Sequence, residues 1–150
     1  MLSRVFACVC MLLTMSSLFA DHTIVMTMIL RDEAVNIKSN LPLWLGKIDY
    51  FVFLVDRRTT DNSEEAISNI LESNEVPYEI VHHDFDGFGP SRTRSLEHAW
   101  KFFPQATHVW IADPDWKVDA NIPIDKSELD LVHDAFRFVI YDRNGQTTRR

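Results

Sequence analysis

The stretch Thr107-His-Val-Trp-Ile-Ala-Asp-Pro-Asp-Trp116 is an apolar run that ends in two aspartates one residue apart. An extended chain projects residues i and i+2 to the same side, so Asp113 and Asp115 are expected to face one point. A buried strand that delivers two carboxylates at its C-terminal end suits a divalent-cation site at the mouth of an open α/β sheet. Pro114 fixes φ between the two acids.

Outward from this strand the chain alternates. Thr23 to Leu30 and Tyr50 to Asp56 are apolar runs of strand length, and Tyr78 to His82 is a third. Between the first two, residues 32–47 read as a helix, with Ala34, Ile37, Leu41 and Leu45, and Ile48 just beyond, at helical spacing and Pro42 forcing a kink or restart. Asp61 followed by Glu64 reads as the start of a helix whose inner face is Ala66, Ile67, Ile70 and Leu71. Gly89-Pro90 opens a third helix with Leu96, Ala99, Trp100 and Phe103 as its apolar face. This order predicts an α/β domain, a mainly parallel Rossmann-like sheet with helices on both faces. After Asp115 the rhythm changes: Leu129 to Tyr141 is β-prone, and Asn144-Gly145 signals a C-terminal β-hairpin.

Chemistry in such a sheet gathers at strand C-termini. Strand two ends in Val55-Asp-Arg-Arg-Thr-Thr-Asp61, which places the Asp56 carboxylate where it can accept hydrogen bonds from a base or ribose. A turn aspartate accounts for it almost as well. Asp61 reads as a helix cap. Arg92 and Arg94 fall in the first turn of the third helix, against the positive end of its dipole, at roughly 0.3–1 kcal/mol each. Backbone N–H groups and guanidinium forks there make an anion site, with Arg92 as its main cation. Both arginines could instead pair with Asp84, Asp86 or Glu97. His82 and His83 point to opposite faces of their strand, one into the core and one to solvent. Trp100, Trp110 and Trp116 read as packing residues, and Ser91 lacks a His/Asp relay.

The chain has 150 residues, enough for one domain with a core, with 46% hydrophobic and 25% charged residues. A formal net charge of -7 argues against a nucleic-acid partner held through phosphates. Residues 1–20 carry Arg4, an apolar run from Val5 to Leu13 and Leu18-Phe19-Ala20, which reads as a secretory signal peptide cut after Ala20. Left uncut, the segment would be a signal anchor and the chain's one contact with a membrane. Both cysteines, Cys8 and Cys10, lie within it, so residues 21–150 would hold no disulfide and no thiolate site.

Ile29-Leu-Arg-Asp-Glu-Ala34, Val55-Asp-Arg-Arg-Thr-Thr-Asp61, Ser91-Arg-Thr93 and Asp113-Pro-Asp115, taken in this order, resemble the nucleotide-sugar-binding half of family-2-type glycosyltransferases with the GT-A fold. The resemblance covers about residues 23 to 120. It implies that Asp56 meets the nucleobase or ribose, Arg92 the diphosphate region and Asp113 the sugar or ribose. Asp113 and Asp115 become the metal pair, with Asp115 ligating Mn²⁺ or Mg²⁺, and Glu33 supports the site. The implied donor is a UDP- or GDP-sugar and the implied reaction is glycosyl transfer to an acceptor hydroxyl in the secretory pathway. Arg58 stands where that family usually has glycine, Asp32 and Thr93 where it has asparagines, and Trp116 where an acid is frequent. Only 35 residues follow Asp115, and Asp130, Asp134 and Asp142 suit solvent better than acceptor activation. The chain is therefore expected to be the donor-binding part of a longer transferase, inactive alone. A non-catalytic nucleotide-sugar or carbohydrate-binding domain is the alternative. An Asp-x-Asp phosphohydrolase would want its acids on the first strand.

Overall fold

The computed structural model describes residues 22–119, 121, 124–129, 140–141 and 147–148. Strand β1 (Ile24–Leu30) leads through helix α1 (Ala34–Asn40) and a 3₁₀ turn (Leu41–Trp44) to β2 (Tyr50–Asp56). Helix α2 (Ser63–Ser73), β3 (Tyr78–His83), helix α3 (Phe88–Phe102) and β4 (His108–Ala112) follow. A second 3₁₀ turn (Lys126–Glu128) and two short strands, β5 (Ile140–Tyr141) and β6 (Thr147–Thr148), complete the order.

β1 to β4 form one all-parallel sheet in the order β3-β2-β1-β4. β1 and β2, in the middle, are nearly all apolar because both of their faces are covered. One face presents Met26, Met28, Leu30, Phe51, Phe53 and Val55 to Ile37, Leu41, Ala66, Ile67 and Leu71 of α1, its 3₁₀ extension and α2. The other presents Val25 and Val52 to Ala99 and Phe103 of the α3 region. Helices thus lie on both faces, as the alternation predicts. Phe51 and Phe53 are fully buried on the same side and stacked at 5.9 Å. Burying each ring contributes about 1.5–3 kcal/mol.

Several local expectations need correction. The helix expected over residues 32–47 stops as α-helix at Asn40 and tightens to 3₁₀, because Pro42 removes a backbone donor. Leu45 and Ile48 lie beyond it, in an isolated bridge. Helix α3 starts at Phe88, before Pro90, and the residue that precedes it is Gly87 at φ +117. Its buried stripe is Ser91, Ser95 and Ala99, small residues that let the helix sit close to the sheet. Trp100, expected in the core, is 67% exposed as a result. Trp110 and Trp116 do pack against the core, Trp110 edge-to-face with Trp44 at 5.4 Å.

After β4 the chain crosses back along the α1/α2 face, where Trp116, Val118, Ile124 and Leu129 pack. Lys126 Nζ then donates to both oxygens of Asp49, at 2.7 and 2.6 Å. Asp49 Oδ2 also accepts from Ile24 N at the start of β1 (2.7 Å), so residue 126 lies at the N-terminal end of the sheet. β5 and β6 pair antiparallel. The Asn144-Gly145 turn, most of the 129–141 run and the expected signal peptide 1–20 lie outside the described residues. Among the described residues, no helix is long and apolar enough to cross a membrane.

Candidate functional site at the strand ends

The chain runs outward from β1 to β2 to β3, then returns to the far side of β1 for β4. The strand order therefore reverses between β1 and β4, and a crevice opens at such a point outside the C-terminal ends of the strands. Glu33 before α1, Asp56 at the end of β2, and Asp113 and Asp115 just after β4 lie at this end of the sheet, and Arg92 falls in the second turn of α3 rather than the expected first, because the helix begins at Phe88.

The β1–α1 and β2–α2 loops are bolted together by side chains. Asp32, at φ +54, accepts from Thr60 N (2.7 Å) and Asp61 N (3.3 Å). Short polar side chains tolerate that left-handed backbone best. Asp61 accepts from Ala34 N (2.8 Å) and Ser63 N (3.0 Å), so one carboxylate serves the first turns of two helices. Burial would raise its pKa, but the bonds from Ser63 and Ala34 outweigh it and hold the group below the ordinary value. Asp61 is thus a cap, as expected, while Asn62 is the residue that immediately precedes α2. The Glu33 backbone N–H donates to Ser63 Oγ (2.8 Å), and its carboxylate accepts from Asn36 Nδ2 (2.6 Å). Its place at the start of α1 suits a supporting role.

Asp56 ends β2 with its side chain 2% exposed. The Arg58 fork covers it, with Nε to Oδ1 at 3.0 Å and Nη2 to Oδ2 at 2.6 Å, and Arg58 N also donates to Oδ1 at 3.0 Å. The Arg58 hydrogen bond, acting against burial, holds the carboxyl at about 2. Asp56 lies beside His83 in the strand register. His83 is buried, and among the described residues neither ring nitrogen closes a hydrogen bond of normal geometry. Burial first, then the nearby Arg94 charge, pushes its pKa below the ordinary value, so it is neutral at pH 7. His82 faces outward to Glu64 at 3.0 Å. The pair splits between core and surface as strand alternation requires.

The two arginines of α3 separate. Arg94 forks onto Asp86, with Nη1 to Oδ1 at 2.9 Å and a second contact from Nη2 to Oδ2. Arg92 reaches across to β4, where Nη2 donates to Asp113 Oδ1 at 2.7 Å. The structure thus joins two residues that the sequence singled out separately. Both are partly accessible, at 31% and 39% side-chain exposure.

Asp113 and Asp115 do not continue the extended strand. β4 ends at Ala112, and Trp116 N donates to Asp113 O at 3.0 Å, closing a turn with Pro114 at its second position. The alternation argument for a common facing direction therefore does not apply, and Asp113 is half-buried while Asp115 is exposed. The turn is pinned from behind, where Asn40 Nδ2 at the end of α1 donates to Pro114 O at 2.8 Å in a buried contact. As a metal set, two hard oxygen donors on one short turn are chemically suitable but incomplete. A small divalent cation ordinarily completes its shell with water and substrate phosphates. Among the described residues no cluster of three or more His, Cys, Asp or Glu side chains is placed to hold a metal ion. Asp130, Asp134 and Asp142 lie outside them.

The sequence marks Asp32 and Arg58 only as departures from the family pattern and gives Asn40 no role. Asn40 and Asp32 act across sequence separations of 74 and 28 residues, with no local signature. Arg58, two residues after Asp56, was open to a local reading as its partner. No family model, no curated protein and no solved structure matches this chain.

Proposed function

We propose that the chain binds a nucleotide-sugar at the C-terminal ends of its parallel strands and serves glycosyl transfer of the GT-A, family-2 type. The observation that carries this reading is the Arg92–Asp113 contact at the reversal of strand order. A cation from the second turn of α3 and an acid from the turn just after β4 meet where α/β sheets take nucleotides. Arg92 would turn to the diphosphate, where a guanidinium fork matches phosphate oxygens. Asp56 would accept from the base or ribose, with Glu33 holding the adjoining loop. Asp113 and Asp115 would hold Mn²⁺ or Mg²⁺ together with the diphosphate. The cation, when bound, would neutralise charge on the departing nucleoside diphosphate.

Calorimetry with UDP and GDP, with Mn²⁺ present or chelated, tests the reading. Binding should require the metal, and Asp115→Ala should remove the metal-dependent part while the circular dichroism spectrum stays unchanged. Equal affinity with and without chelator would remove the metal from the proposal, and no binding of either nucleotide would overturn it.

A further inference from the structure

If Asp56 meets the base, as the proposed function has it, then the way Arg58 sits on that carboxylate says which base. The fork is planar, and its two donors, Nε and Nη2, hang from one carbon and land on different oxygens of Asp56, at 3.0 and 2.6 Å. Asp56 is 2% exposed while the Arg58 side chain over it is 55% exposed. Both carboxylate oxygens therefore face the half-exposed arginine that lies over them. We propose that Arg58 stands in for guanine, and that the site takes a guanine nucleotide in preference to a uracil, cytosine or adenine one.

The argument is one of donor pattern. The Watson–Crick edge of guanine carries N1–H and N2–H₂ on a shared carbon, the same planar N–C–N pair as the half of the guanidinium that faces Asp56. Two N–H···O bonds from a neutral base replace two from a charged fork, in the same planar arrangement on the same carboxylate. Uracil offers a single N–H flanked by two carbonyls, so one carboxylate oxygen would gain a donor and the other would face a carbonyl oxygen. Cytosine offers an amino group beside a ring acceptor. Adenine offers the same pairing and no ring N–H. A buried carboxylate that loses a donor is left with an unmet acceptor, which makes the discrimination steep. Asp56 suits this task because an ionised carboxylate offers the ligand acceptor positions alone. The backbone N–H of Arg58 can go on holding Oδ1 from behind when the side chain swings away. Arg58 is then a competitor for its own site, an exposed side chain that must leave before a base can enter.

Titration of the full chain with GDP, IDP, UDP and XDP in the presence of Mn²⁺ tests this. IDP lacks the N2 amino group, and XDP carries a carbonyl in its place. GDP should bind at least about tenfold more tightly than IDP or UDP, the loss expected for one charge-assisted hydrogen bond. Arg58→Ala should strengthen GDP binding several-fold, a gain that misfolding cannot produce. Asp56→Asn, nearly isosteric, should weaken GDP by at least about tenfold and restore XDP, because the amide now donates where the xanthine carbonyl accepts. UDP binding as tight as GDP, or weaker GDP binding by Arg58→Ala, overturns the guanine assignment and leaves the nucleotide site standing. Failure of all four nucleotides overturns both readings.

Discussion

Removing the Asn40 side chain tests whether the acidic turn is held from behind by one buried contact. Asn40 is 2% exposed, and its Nδ2 donates to Pro114 O at 2.8 Å across 74 residues of sequence. Asn40→Ala leaves a buried carbonyl without that donor, at about 1–3 kcal/mol. Alanine returns up to roughly 0.7 kcal/mol through its helix propensity at the end of α1. The net loss is then about 0.3–3 kcal/mol. For a folded unit of about 100 residues each kcal/mol moves Tm by about 4–8 °C, so a fall of several degrees is expected in differential scanning calorimetry. Asn40→Asp is the sharper probe. It keeps the shape and sets a carboxylate oxygen against a carbonyl oxygen, so it should destabilise more than alanine does. Both variants should also weaken metal-dependent nucleotide binding, because the turn carrying Asp113 and Asp115 loses its anchor. Asn40→Asp matching or exceeding Asn40→Ala in stability would refute the hydrogen-bond argument. Unchanged nucleotide affinity in a destabilised variant would refute the link from anchor to site.

Arg92→Ala should weaken UDP or GDP by roughly 1.5–3 kcal/mol while barely affecting the bare nucleosides. Equal losses for both, read by calorimetry, would make Arg92 a residue of the fold. Gly87 has φ +117 and ψ 159, a region nearly closed to side chains, while an added Cβ would meet only Pro90 Cδ at an ordinary 3.8 Å. Gly87→Ala should therefore cost about 1–3 kcal/mol from the backbone alone, and an unchanged urea midpoint would show that the loop relaxes. For His83 the folded pKa is lowered, so the unfolded chain takes up the proton first as pH falls below roughly 6.5. Stability should decline from there until the folded imidazole also titrates, and His83→Gln should flatten that phase of urea midpoints against pH. The Asp56 contribution, with its folded pKa at about 2, should stay in place above roughly pH 4 and be lost on further acidification.

What the sequence made legible follows the range of the interaction. β2 falls on residues 50–56 as expected, since an unbroken apolar run between polar loops has few other homes. The parallel sheet and two-sided helices follow from alternation alone. The α3 face was misjudged because helical spacing ranks Trp100 above serine, whereas close helix–sheet approach favours Ser91, Ser95 and Ala99. Asp113 and Asp115 were seen as a pair, but their turn geometry was not, because Pro114 is equally at home in a strand edge and in a turn. Arg92 and Asp113 each stood out locally, while their meeting depends on where α3 ends up over the sheet. Asn40 gave no local sign because its partner is a main-chain carbonyl.

The tie between Lys126 and Asp49 has a mechanical meaning. Tension arriving along the chain beyond Leu129 meets that buried side chain and then this ion pair, at the foot of the sheet where β1 and β2 begin. The acidic turn at the opposite end lies upstream of that anchor, with Trp116 and Val118 packed between the two. A pull on the downstream chain would thus load the base of two central strands before it reached the turn that carries Asp113 and Asp115.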